Sequence, residues 1–171
     1  MLYTIGHSTR PLDDFIAILK HYGIDLLVDI RTIPRSRRNP QYEQAVLSEA
    51  LPSHGIAYLH MRGLGGLRHA RKDSQNTGWK NNSFRGYADY MQTDEFAAAV
   101  DELIALSKER TTVIMCAEAV PWRCHRSLIG DALLARGIEV IDILSETSAK
   151  PHKLTPWARV EGTRITYPGQ L

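Results

Sequence analysis

Short apolar runs recur along this chain, each ending in polar residues and each followed by a stretch with helical spacing. Segments 2–5, 24–30, 56–60, 112–115 and 138–144 read as strands. The second is apolar at successive positions until Asp29, and burial on both faces is what a parallel strand covered by helices requires. Between the runs, Leu12, Phe15, Ile16 and Leu19 share one helical face, with Asp13 and Asp14 suited to the first turn and Gly23 to the C-terminal end. Further helices are expected over 42–51, around 84–91, and from a Thr93 cap through Phe96, Val100, Leu103 and Ile104. The last helix follows Cys124 and ends at Gly137, and a final short strand is expected around 164–166. Alternation of this kind predicts an α/β protein: a single-domain, three-layer Rossmann-like fold whose mostly parallel central sheet is flanked by helices.

At 171 residues the chain suits one domain, spanning 1–171 and burying roughly two-thirds of its unfolded surface. A formal charge of +2 does not mark a nucleic-acid binder by itself. Its distribution is more informative, because Arg31, Arg35, Arg37 and Arg38 crowd together and Arg62, Arg68, Arg71 and Lys72 follow. Such runs are also common on solvated faces. Residues 1–6 lack the basic region and long apolar stretch of a signal peptide, and no run approaches the ~20 residues that span a bilayer. The expectation is a cytoplasmic protein without membrane association, its two cysteines reduced. From 68 to 82 the chain is polar apart from Trp79, a length that points to a functional lid or a disordered loop.

Chemistry gathers where strands end. His7 and Ser8 follow the first strand, Asp29 and Arg31 end the second, and His60 and the 63–66 glycine-rich turn end the third. Cys116 and Glu118 end the fourth, just before Cys124, His125 and Arg126 open a helix. In parallel strands these ends share one edge of the sheet, where open α/β folds bind ligands. A helix N-terminus adds free N–H groups and the positive end of a dipole. Each residue also has an ordinary role: His7 or Ser8 as a cap, Asp29 paired with Arg31 or Arg126, Cys116 as a small buried hydrophobe.

Known constellations fit poorly. A cysteine phosphatase places arginine six positions after its cysteine, whereas that position from Cys116 is Trp122 and Arg123 is one step late. The first strand–helix turn holds only Gly6, and Gly65-Gly66 lacks the Gly-Lys-Ser/Thr signature of a phosphate loop. Cys116 and Cys124 do not have zinc-site spacing. No metal site is assigned, although a divalent ion held by His7, Asp29, His60 and Glu118 stays open; no cofactor is expected. The remaining chemistry is anion recognition with acid–base or thiol catalysis. Catalytic candidates are His7, Asp29, Cys116 and Glu118. Anion-binding candidates are Ser8, Arg31, Arg35, Gly65, Gly66, Cys124, His125 and Arg126, arginine offering phosphate a rigid fork of donors. Cys116 can serve as a nucleophile only where cations stabilise its thiolate.

Thr4-Ile5-Gly6-His7-Ser8, the stretch from Val28 to Ser36, Leu64-Gly65-Gly66, Cys116-Ala117-Glu118 and Cys124-His125-Arg126 together resemble the domain-of-unknown-function 488 family. The similarity extends over nearly the whole chain, including Gly55 to His60 and Thr166-Tyr167-Pro168. The resemblance implies a small cytosolic protein of bacterial or archaeal type, with His7, Asp29, Arg31, Gly65, Gly66, Cys116, Glu118, His125 and Arg126 at motif positions. It implies no activity. The leading expectation is an enzyme acting on a phosphate-bearing substrate, a nucleotide or nucleic acid. The alternative is a non-catalytic nucleic-acid-binding or regulatory module using the arginine-rich loops, with Tyr42, Trp79 or Trp122 stacking on bases. Oligomeric state is not legible in the sequence.

Overall fold

The computed structural model, whose described residues are 1–169, sets the apolar runs side by side in one sheet. Along the chain run β1 (Leu2–Gly6), α1 (Leu12–His21), β2 (Leu26–Asp29), α2 (Gln44–Ala50), β3 (Ala57–His60), α3 (Asn82–Tyr90) and α4 (Asp94–Glu109). Then follow β4 (Thr112–Cys116), α5 (Arg126–Ala135), β5 (Val140–Ile143), β6 (Ala149–Pro151), β7 (Arg159–Glu161) and β8 (Arg164–Thr166). The sheet order is β3-β2-β4-β1-β5-β6, parallel except for β6, which runs antiparallel to β5. β7 and β8 form a separate antiparallel pair. The chain is thus an α/β protein with helices on both faces of a mostly parallel sheet, consistent with a three-layer Rossmann-like fold.

The two-residue period of strands divides the core in two. Ile5, Leu27, Val113 and Met115 pack with Phe15 and Leu19 of α1 and Leu47 of α2. Val28, Ile114 and Cys116 face the other way, onto Tyr87 of α3, Phe96 and Leu103 of α4, and Leu128 and Ile129 of α5. Local signals hold where expected. The Thr93 hydroxyl accepts from the Phe96 N–H at 3.3 Å, and Gly23 and Gly137 take the left-handed conformation beyond α1 and α5. The helix expected over 42–51 is shorter, because Pro40–Tyr42 forms a 3-10 turn before α2 begins.

The polar segment expected as a lid is anchored. Buried Asp89 on α3 accepts from the Arg71 N–H at 2.8 Å, the Ser74 hydroxyl at 2.6 Å and the Asn76 amide at 2.7 Å. The Asn76 side-chain Oδ1 in turn accepts from the Tyr167 N–H at 2.9 Å, and the Gly78 N–H donates to the Tyr167 main-chain carbonyl at 2.8 Å. Ser74 and the buried Asn76 thus serve a hydrogen-bond network with Asp89, while most of the segment's other polar side chains face water. No helix among the described residues is long and apolar enough to cross a membrane.

Candidate functional site

From β1 the chain crosses α1 to β2 on one side, and from β4 it crosses α5 to β5 on the other. Crossovers leaving neighbouring strands in opposite directions open a crevice at the carboxyl ends. A cleft of about 680 Å³ lies here, walled by Arg31, Thr32, Ile33 and Arg35 after β2 and by Gly66 and Leu67. Cys116 at the end of β4, Ala117 and Glu118 beyond it, and Trp122 to His125 before α5 form the facing side. Asn81, Ser83, Phe84 and Tyr87 close it from α3 and its approach.

Cys116 lies at the base of this wall, 2% exposed. The fully buried Arg126 donates through Nη1 to Cys116 Sγ at 3.2 Å and to the Glu118 carbonyl at 2.9 Å, and through Nη2 to the Ala119 carbonyl at 3.2 Å. Burial pushes the Cys116 thiol up, but a hydrogen bond with Cys124, the Arg126 charge and the Glu118 main chain together bring it below the ordinary thiol value. Cys124 is driven the opposite way, by burial and by its negative neighbour. Cys116 is therefore the member of the pair that ionises first. The β1–α1 turn braces the same loop: the His7 and Ser8 N–H groups donate to the Cys116 and Ala117 carbonyls, each at 2.9 Å. Among the described residues, no main-chain carbonyl accepts from the N–H groups of Ala117, Glu118, Ala119 or Val120. Gly6 is required by proximity, since a Cβ there would lie 1.5 Å from the Glu118 oxygen and 2.5 Å from Arg126 Nη1.

On the opposite wall, Arg31 is fixed by Asp29 through a two-point fork. Nε donates to Oδ1 at 2.9 Å and Nη2 to Oδ2 at 2.7 Å. The Tyr58 hydroxyl donates to the same Oδ2 at 2.6 Å, and the Arg31 N–H to Oδ1 at 3.1 Å. Burial disfavours the guanidinium charge, but Asp29 outweighs it and raises the Arg31 pKa further. Nη1 is left with no partner among the described residues. His60 Nε2 stands 2.7 Å from the Arg31 carbonyl and steadies that main chain.

His125 joins the walls. Its Nε2 lies 3.1 Å from the Leu64 carbonyl and 3.3 Å from the Ile30 carbonyl, so the neutral ring donates there and presents Nδ1 to the Cys124 sulfur at 3.6 Å. Burial lowers its pKa to about 4. Gly66 makes room for the ring, for a Cβ would meet Nδ1 at 3.2 Å, and Gly65 packs against Thr32.

The structure therefore brings Arg31, Arg35, Gly66, Cys116, Glu118, Cys124 and His125 to one cleft wall or another. It places five other candidates behind those walls. Asp29 is fully buried and saturated by Arg31 and Tyr58, so it positions the arginine rather than meeting a ligand. Arg126 is turned inward onto Cys116 and the loop carbonyls, not outward as an anion clamp at the start of α5. His7 shares the α1 face of the sheet, stacked on Tyr42 at 4.1 Å with burial lowering its pKa to about 4. Ser8, strained at φ 52, acts through its main chain, and Gly65 packs beneath the cleft. The His7, Asp29, His60 and Glu118 metal set does not assemble, and among the described residues no three His, Cys, Asp or Glu side chains are grouped to hold a metal ion. Tyr87, Ser83 and Arg123 were not singled out as site residues by sequence reasoning. Arg123 adjoins Cys124 and was legible in that sense; Tyr87 and Ser83 reach the cleft only through the packing of α3.

With this geometry in place, the sequence model of the family described as "Domain of unknown function DUF488" matches residues 11–133 of the 171. The chain belongs to the DUF488 family. The matched span holds β2, β4 and the start of α5, and with them the Arg31 and Cys116 walls of the cleft; β1 with its His7 turn and the β5–β8 region lie outside it. No curated protein and no solved structure matches the chain.

Proposed function

We propose that this DUF488 protein is an enzyme acting on a phosphate-bearing substrate, with Cys116 as nucleophile. The observation that carries this reading is the Arg126 Nη1 contact to Cys116 Sγ at 3.2 Å, at the base of a cleft that Arg31 and Arg35 also line. A cation held against a thiol by the fold favours the thiolate, which is the reactive form. On the facing wall, Arg31 donates to a bound phosphoryl group through Nη1, the nitrogen its fork to Asp29 leaves over, and the Arg35 guanidinium adds a second positive charge. Arg126 thus serves the nucleophile, and the anion falls to Arg31 and Arg35.

On a phosphomonoester, the Cys116 sulfur forms a bond to phosphorus as the ester P–O bond breaks. The leaving oxygen takes a proton from the Glu118 carboxyl, which is exposed on the cleft wall. Water then attacks phosphorus and gives its proton to the Glu118 carboxylate. The S–P bond breaks, releasing inorganic phosphate and the thiolate. Turnover of p-nitrophenyl phosphate that disappears in Cys116→Ser and falls steeply in Glu118→Gln is the expected result. Wild-type protein that binds phosphate compounds but turns over none of a phosphomonoester panel would favour a binding module instead.

A further inference from the structure

All three tryptophans of the chain, at 79, 122 and 157, line a second cavity of about 740 Å³. They arrive from the 68–82 segment, from the turn before α5 and from the stretch between β6 and β7, so only tertiary folding brings them together. Trp79 and Trp157 are set edge to face with centroids 5.0 Å apart, and Trp79 also packs on Phe84 and Tyr167. Trp122 differs. It is 67% exposed and lines both this cavity and the Cys116 cleft. A large aromatic ring left in water between two concavities is poor packing for a fold but a ready stacking surface for a ligand that spans them. The rim of the cavity carries Lys150 and Lys153, both exposed.

We infer that the substrate is a nucleotide, its base stacked on Trp122 in the tryptophan-lined cavity while its phosphate lies in the adjoining arginine-lined cleft. This rests on the phosphate reading above and adds the chemistry of the other end of the molecule. The tryptophan walls suit a flat ring, and the lysines at the rim suit further negative charge such as a second phosphate. A long alkyl chain would gain little from flat indole walls edged by two ammonium groups. Stacking is tolerant of base identity because every base offers a π face, so weak discrimination among the four bases is expected.

Calorimetric titration of the full-length protein with inorganic phosphate, adenosine 5′-monophosphate and adenosine tests the inference. The nucleotide is expected to bind wild-type protein at least about tenfold more tightly than inorganic phosphate. That advantage should vanish in Trp122→Ala and persist in Trp122→Phe. Because Trp122 is exposed, its removal does not threaten the fold. Phosphate binding with no gain from the nucleoside, or a gain that survives Trp122→Ala, would overturn the base site and leave the anion cleft standing. Adenosine binding that requires Trp122, with no binding of inorganic phosphate, would support the ring cavity and refute the anion cleft. Absence of binding by all three compounds would overturn both readings.

Discussion

Arg126→Ala removes the guanidinium that ties the start of α5 to the loop after β4. Three contacts disappear: to Cys116 Sγ at 3.2 Å, to the Glu118 carbonyl at 2.9 Å and to the Ala119 carbonyl at 3.2 Å. Hydrogen bonds from a charged donor contribute about 1.5–3 kcal/mol each. The two carbonyls are only partly buried, so water replaces some of what is lost and the lower end applies, about 3 kcal/mol for the pair. In a domain of this size each kcal/mol moves Tm by ~2–4 °C, which places the expected drop at ~6–12 °C. Calorimetry or thermal denaturation followed by circular dichroism reads this directly. The same variant should raise the Cys116 pKa, since its nearest cation is gone. An arginine that instead contacted ligand directly would leave Tm unchanged and abolish only the stabilisation by added phosphate. A melting temperature within ~2 °C of wild type would refute the structural role.

Stability should peak near pH 6.5, with losses on either side. His152 sits between Asp131 and Asp142, 2.9 Å from each; burial opposes its charge, but the two carboxylates raise its pKa from 6.5 to about 9. A group that binds its proton more tightly when folded contributes fully below 6.5, and that contribution is lost as pH rises through 9. Buried His7 and His125 behave oppositely: their pKa values fall to about 4, so the unfolded chain takes up protons first and stability declines from 6.5 towards 4. Denaturant titrations across pH 4–9 in constant salt test this, and a plateau from 6.5 to 9 would contradict the His152 assignment. Hydrogen exchange at Arg71, Asn76, Gly78 and Tyr167 should be slow without ligand, because those amides are bonded to Asp89, Ser74, Asn76 and the Tyr167 main chain. Fast exchange there in wild type without ligand would favour the lid reading; Asp89→Asn should speed exchange across the segment.

The alternation of apolar strands and one-face helices was legible from 2 to 144, and so was the edge of the sheet that carries the cleft. What the sequence reading did not resolve was which side of that edge each residue takes. A strand changes face at every residue, so His7 continues the Ile5 face towards α1 and Tyr42, while Cys116 continues the Ile114 face towards α5. Reading strand ends without their phase gathered both into one site. The Asp29–Arg31 pair was open as an alternative because the two are neighbours in sequence, but Tyr58, which completes it, comes from β3. Arg126 stood at the right helix terminus and was assigned outward; only the loop carbonyls of Glu118 and Ala119 show why it turns inward. β6 and β7 escaped notice because each is three residues long and largely exposed, leaving no apolar pattern. The anchoring of the 68–82 segment was not legible in its polarity, because its partners lie outside it, Asp89 on α3 and Tyr167 near the end of the described residues.

The central claim is that a thiolate at Cys116 faces an anion-binding cleft. Alkylation of Cys116 by iodoacetamide, followed by mass spectrometry across a pH series with and without inorganic phosphate, tests both halves at once. Cys116 should react with a midpoint below the ordinary thiol pKa while Cys124 stays unmodified, and phosphate should slow the reaction in wild type but not in Arg35→Ala. A Cys116 midpoint at or above the ordinary value, with a rate indifferent to phosphate, would contradict the account.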